Sequence, residues 1–142
     1  MLLYLNYEEI QALRAGAHAC LDRDTGMGER ATVLAPSMRR AAVEALLPRF
    51  DGDLSVATLD ELREVLMGIT AIVERLRAEM QAVVLEAHPA HEGAVAAYFD
   101  FAHALVVQAR ARDMVAEMEA LLELVTEGAV TQEAARSFEF PD

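Results

Sequence analysis

The chain has 142 residues, with 24 acidic side chains against 12 basic ones, and its net charge of −12 argues against direct nucleic-acid binding, which needs a positive footprint. The apolar fraction of 54% is enough for one core, and the single cysteine, Cys20, excludes an intramolecular disulfide. No stretch approaches the ~20 apolar residues of a membrane span, so we expect a cytoplasmic protein with no membrane association. The enrichment in Arg and Ala points to a bacterial source.

The first elements in chain order are a short apolar run and a helix. Residues 1–5 are predicted to form a short strand, which pairs with the alternating residues 138–140 near the other end. Helix one is predicted to begin at Asn6, because Asn is a good N-cap and Glu9 stands three residues later, as in a capping box. It ends before the loop composition of residues 24–28.

The next two helices are delimited by proline and by a second capping box. Helix two is predicted from Pro36 to about Leu47. Helix three begins after Thr58, which forms a capping box with Glu61, and it ends before Pro89. Apolar residues then repeat every three or four positions along helix three, as in a heptad seam: Leu59, Leu62, Leu66, Ile69, Val73, Leu76, Met80, Val83 and Ala87.

Helix four is predicted over residues 90–127 and carries two apolar stripes on different faces. The first stripe is Val95, Phe99, Ala102 and Val106, and the second is Ala104, Val107, Ala111, Met114, Met118, Leu121 and Val125. We expect both stripes to be buried, each at a different end of the helix.

These elements predict a single all-α domain over residues 1–142. The architecture is a four-helix bundle or an elongated helical hairpin with two shorter helices, and the termini add a short β pairing. Short helices occupy residues 1–49, the long hairpin occupies 58–127, and residues 129–142 form a tail. At ~1.5 Å per residue helix four is longer than the ~30 Å diameter of such a domain, so part of it is expected to extend beyond the core. The apolar seam on that part needs a partner, and a second copy of the chain is the simplest one.

Seven seam positions are predicted to form either the dimer interface or the plain core of one chain. They are Leu62, Ile69, Val73, Leu76, Met114, Met118 and Leu121. The two methionines suit an adaptable surface, although core packing is the more common role of methionine.

The charge is unevenly distributed along the chain. Residues 1–49 carry six acidic and six basic residues, whereas residues 50–142 carry 18 acidic and six basic ones. The arginines around helix two form either a solvated face or a docking patch for the acidic hairpin, of the same chain or of its dimer mate: Arg30, Arg39, Arg40 and Arg49.

Two pairs of side chains are candidate metal ligands. Glu61 and Glu64 stand three apart on one helix, as in all-α nucleotide pyrophosphohydrolases, but the second carboxylate pair that those enzymes use for magnesium is missing here. Asp100 and His103 stand three apart on helix four, a spacing that metal sites in helical bundles use.

These patterns favour a non-enzymatic interaction, regulatory or adaptor domain that acts as a homodimer, binds another protein and needs no cofactor. The alternative is a metal-dependent all-α hydrolase, using Mg²⁺, Mn²⁺ or Zn²⁺. A second alternative is an acidic decoy that occupies a nucleic-acid-binding protein through its negative charge.

Overall fold

Four α-helices and one short β ribbon make up the described part of the chain, which covers residues 1–22, 36–86 and 92–126 of a computed structural model. The all-α prediction is therefore confirmed. In chain order the elements are β1 (Leu2–Leu3), α1 (Tyr7–Asp22), α2 (Pro36–Leu46), a 3-10 turn (Leu47–Arg49), β2 (Leu54–Ser55), α3 (Leu59–Glu86) and α4 (Glu92–Thr126).

Both predicted capping boxes set the start of their helices. At α1 the Glu9 amide donates to Asn6 Oδ1 over 2.8 Å, and the Asn6 amide donates to Glu9 Oε1 over 3.0 Å. At α3 the Glu61 amide donates to Thr58 Oγ1 over 3.1 Å. The Glu61 carboxylate accepts from the Ala57 amide, one residue before the position that a capping box uses.

The predicted strand at the start of the chain is confirmed, and its described partner is β2. Leu2 lies opposite Ser55 and Leu3 opposite Leu54, in antiparallel register. Leu3 and Leu54 are buried, so the two-residue ribbon is held by the core beneath it as well as by its own hydrogen bonds. Residues 138–140, the predicted partner, lie outside the described residues, as do the whole of the predicted tail and Arg30.

Helices α3 and α4 form the predicted long antiparallel hairpin, and it is the largest helix contact of the fold. Gln108 Nε2 donates to Thr70 Oγ1 over 3.2 Å near its middle. Arg63 and Glu119 form a 3.4 Å ion pair toward the open end. At ~1.5 Å per residue the 35 residues of α4 extend about 52 Å, against about 42 Å for the 28 residues of α3.

Helices α1 and α2 pack onto this hairpin at two close approaches. α1 packs on α3 and α4, and α2 packs on α3 and α1. A Cβ at Gly16 would lie 2.5 Å from Ile72 Cγ2, and a Cβ at Gly68 would lie 2.3 Å from Leu46 Cδ1. Glycine is therefore required at Gly16, because the β-branched Ile72 has little freedom to move away.

One contiguous core lies between the four helices and under the ribbon. Its largest fully buried side chains include Phe50 from the segment before β2, Leu13 from α1 and Val107 from α4. The inward face of α4 is therefore buried within the chain between Ala94 and Val115, while its opposite face is exposed.

Candidate protein-interaction surface

The two apolar stripes of α4 have opposite environments. The second stripe is buried as predicted, because Ala104, Val107 and Ala111 are fully buried and Met114 is 6% exposed. The expectation that the first stripe is also buried is wrong, since Val95, Phe99 and Val106 remain 42–55% exposed. The described helices α1 and α3 both pack on the other face, so the first stripe has no described neighbour that covers it.

We call the exposed apolar face of α4 the outer stripe. Tyr98, 56% exposed, and Leu105, 37% exposed, widen the predicted stripe, and the exposed Ala109 extends it by one turn. The outer stripe is Val95, Tyr98, Phe99, Ala102, Leu105, Val106 and Ala109. At ~1.5 Å per residue it runs about 21 Å along the helix.

The outer stripe is uncharged along its whole length. None of its seven positions carries a charge, and Asp113, the next position along the same face, ends it. The Tyr98 and Phe99 rings meet edge to face, with centroids 6.2 Å apart. His103 borders the stripe beside Phe99, and its Nδ1 lies 2.8 Å from the Phe99 carbonyl oxygen.

An ion pair beside the outer stripe fixes α1 on α4. Arg110 Nη1 and Nη2 each lie 3.1 Å from an oxygen of Glu9, and Nη1 also donates to the Tyr4 carbonyl. Burial raises the pKa of Glu9, but the hydrogen bonds from Arg110 and Asn6 and the positive charges of Arg110 and His103 outweigh it, so the pKa lies below its usual value. Glu9 is therefore ionised and paired, and the contact sets which face of α4 turns outward.

A second group of charged side chains lies along the N-terminal half of α4. Burial, and to a lesser degree the negative charge of Glu79, raise the pKa of Asp100, while His103 partly lowers it. On α3, the Arg77 guanidinium lies over the Phe101 ring, 5.4 Å from its centroid. These contacts join the N-terminal half of α4 to the C-terminal half of α3.

The seven predicted seam positions lie within one chain. Leu62 and Ile69 are fully buried, and Met118 and Leu121 are half-buried. Val73, Leu76 and Met114 lie in the same core. Five of the seven seam positions thus belong to the core of one chain, whereas Met118 and Leu121 are only half-buried.

The described arginines of the predicted docking patch have mostly local partners. Arg49 Nη2 donates to the Ser55 carbonyl and lies 3.4 Å from Glu61, so it joins the segment after α2 to the acidic hairpin of the same chain. Arg40 pairs with Glu44 at 3.0 Å. Arg39 is half-buried, and two of its guanidinium nitrogens have no hydrogen-bond partner among the described residues.

The candidate metal ligands are not brought together. Glu61 caps α3 and pairs with Arg49, and Glu64 lies exposed one turn later. Asp100 and His103 lie beside Glu79, which at ~1.5 Å per residue is about 27 Å further along α3 than Glu61. Within residues 1–22, 36–86 and 92–126, no three His, Cys, Asp or Glu side chains are grouped closely enough to hold a metal ion.

A shallow groove of about 360 Å³ lies between α2 and α3. Met38, Ala41 and Ala45 line one wall, and Arg49 and Glu61 lie at one end. Arg49 and Glu61 pair with each other, so the rest of the groove is mainly apolar, and the exposed Glu64 lies at its rim. No aromatic side chain lines the groove, unlike the outer stripe.

Comparison with protein-family models, with curated proteins and with solved structures finds no match to this chain. Across the described helices, none combines the length and the apolar character needed to cross a membrane.

Proposed function

We propose that this chain is a non-enzymatic protein–protein interaction module, with a regulatory or adaptor role, that acts as a homodimer through the outer stripe of α4. The observation that carries the proposal is the outer stripe itself. It places two aromatic rings and three aliphatic side chains, 37–56% exposed, on one uncharged helix face.

Keeping such a face in water has an energetic cost. Each Å² of apolar surface that leaves water contributes roughly 25 cal/mol, and aromatic side chains are enriched among the residues that dominate interface energies. Contiguous exposed apolar surface rimmed by polar residues is typical of interaction sites. The outer stripe meets this description, with His103 and Arg110 beside it and Asp113 at its end.

The location of the outer stripe also fits an interface. The second stripe, on the opposite face of the same helix, is buried in the core, and the Glu9–Arg110 ion pair fixes the helix from one side. A partner therefore meets a preformed surface and loses little conformational entropy in ordering it. The net charge of −12 and the single cysteine are compatible with the cytoplasm as the site of this activity.

One helix pair of this length forms a small interface. It belongs to the class that buries less than about 1,200 Å² in total, which is typical of transient complexes. We therefore expect a homodimer with a dissociation constant in the micromolar range, about −8 kcal/mol.

The test is the oligomeric state of two matched variants by sedimentation equilibrium. Phe99→Glu places a charge in the middle of the outer stripe, where burial against a partner would desolvate it. Leu124→Glu is the control, because Leu124 lies on the same helix at 44% exposure, beyond the charged end of the stripe. Both side chains are exposed, so neither change disturbs the core.

We expect the wild-type chain and Leu124→Glu to reach twice the 15.5 kDa chain mass at high concentration. Phe99→Glu should raise the dissociation constant about 30-fold, the effect of losing one interface hot spot. A wild-type protein that stays at 15.5 kDa at all concentrations, or equal behaviour of the two variants, would contradict the proposal.

The metal-dependent hydrolase is not supported by the arrangement of the described side chains, because Glu61 is a cap and an ion-pair partner. The acidic decoy depends on net charge alone, with no arrangement of carboxylates that distinguishes it. Stoichiometric binding of Mg²⁺, Mn²⁺ or Zn²⁺ would support the hydrolase after all. Salt-sensitive binding to a basic protein would support the acidic decoy.

A further inference from the structure

We infer that the two copies pair antiparallel along α4, with the twofold axis at Ala102. This inference depends on the proposed homodimer and assigns its geometry. It follows from the order of residues along the outer stripe and from the distribution of charge along the helix.

The outer stripe maps onto itself when its direction is reversed about Ala102. Reversal exchanges Val95 with Ala109 and leaves Ala102 in place. The remaining exchanges are Tyr98 with Val106 and Phe99 with Leu105. Any helix face with three- and four-residue spacing maps onto itself in this way, so the register permits a twofold antiparallel pair, and the sizes and charges of the residues favour it over a parallel one.

The sizes of the exchanged residues also fit. Val95 lies opposite the small Ala109, and the large Phe99 and Tyr98 lie opposite aliphatic residues of the other copy. Ala102 lies at the centre, where two helices cross most closely and where a small side chain lets the backbones approach. In a parallel pair Phe99 would instead face Phe99, and Ala109 would face Ala109.

The charges on the C-terminal half of α4 favour the same arrangement. In this half the carboxylates of Asp113 and Glu117 continue the face of the outer stripe, whereas Glu119 pairs with Arg63 of α3. A parallel pair would set the two groups of carboxylates side by side, which is destabilising. In the antiparallel pair each Glu117 lies about 22 Å along its helix from the twofold axis. The two Glu117 residues are therefore about 45 Å apart, well beyond the ~8 Å Debye length.

Disulfide trapping in the full chain tests the geometry. Cys20→Ala removes the native thiol, and Ala102→Cys, Val95→Cys and Ala109→Cys are then introduced one at a time. A disulfide forms only when the two Cα atoms lie within about 7 Å. In the antiparallel pair two copies of Val95 are about 21 Å apart, whereas Val95 lies opposite Ala109.

We expect mild oxidation to give covalent dimer for Ala102→Cys alone and for an equal mixture of Val95→Cys and Ala109→Cys. Val95→Cys alone and Ala109→Cys alone should remain monomeric on a non-reducing gel. Covalent dimers of Val95→Cys with itself and of Ala109→Cys with itself would show a parallel pair, which overturns this inference and leaves the homodimer in place.

The remaining outcomes separate the two proposals further. A chain that sediments as a dimer but gives no covalent dimer in any of these samples pairs through another surface or register, so the antiparallel geometry is wrong. A chain that sediments as a monomer and gives no covalent dimer contradicts both this geometry and the proposed function.

Discussion

Replacing Arg110 by methionine tests whether the ion pair to Glu9 holds α1 on the face of α4 opposite the solvent. Methionine keeps most of the aliphatic volume and removes the guanidinium. Glu9 is 3% exposed, so the change leaves a carboxylate with little access to water and with the Asn6 amide as its remaining described donor. The penalty therefore comes from a buried charge that has lost its partner.

The magnitude follows from the burial of the two partners. Removing one partner of a fully buried ion pair costs about 3–5 kcal/mol. The Arg110 side chain is 35% exposed and its charge is screened by water, and the Asn6 hydrogen bond remains, so we reduce the expected loss to about 2 kcal/mol. For a chain of this size that loss lowers the melting temperature by about 6 °C.

The loss should depend on pH in a defined direction. In the wild-type chain the pKa of Glu9 lies below its ordinary value of 4.5, so its stabilising contribution is present above that pH and is lost as the pH falls through the folded-state pKa. In Arg110→Met burial dominates and raises the pKa of Glu9 above 4.5. Protonation then removes the unpaired charge, and the difference between variant and wild type narrows as the pH falls from 7 toward 4.5.

Thermal unfolding followed by circular dichroism at pH 7 and at pH 4.5 measures both effects. Arg112→Met is the control, because Arg112 is exposed on the same helix. Adding Glu9→Gln should restore part of the stability, since glutamine keeps a capping oxygen for Asn6 and carries no charge. A melting temperature within about 1 °C of wild type at pH 7, or a deficit that is the same at both pH values, would refute the reasoning.

Three further substitutions test the fold by chemical denaturation. Gly16→Ala should cost about 1–3 kcal/mol, because the new Cβ would lie 2.5 Å from Ile72 Cγ2; a stabilised variant, as alanine normally gives in a helix, would show that α1 can move away. Thr58→Ala removes the hydrogen bond to the Glu61 amide and should cost about 1 kcal/mol, and an unchanged midpoint would mean that the cap is not formed. Ile69→Asp buries a charge at a fully buried position and should abolish cooperative unfolding, whereas an unchanged transition would refute the assignment of this residue to the core.

The helices were predictable because their ends carry local signals. The pairs Asn6–Glu9 and Thr58–Glu61 are each three residues apart, and Pro36 opens α2. The partner of β1 was not predictable in the same way. A two-residue strand has no detectable alternation, and its pairing with β2 depends on a core contact between residues 3 and 54 that are distant in the chain.

The candidate surface was predictable only in part. The 3–4 spacing located two apolar stripes on α4, but spacing alone does not tell which stripe faces the core. That choice depends on where α1 lies, and α1 is fixed by contacts between distant positions, such as Glu9 with Arg110 and Gly16 with Ile72. Tyr98 and Leu105 were missed because the prediction followed a single line of residues along α4, whereas the exposed apolar face is two residues wide.

A dilution series of two-dimensional amide NMR spectra tests the central claim most directly, because it locates the interface of the unmodified chain. Diluting from about 1 mM into the micromolar range crosses the expected dissociation constant. We predict that the amide signals of residues 95–109 shift together with concentration, while those of Ala41 and Ala45 in the α2–α3 groove stay fixed. Concentration-independent signals throughout, or shifts confined to the groove, would contradict the assignment of the outer stripe of α4 as the interaction surface.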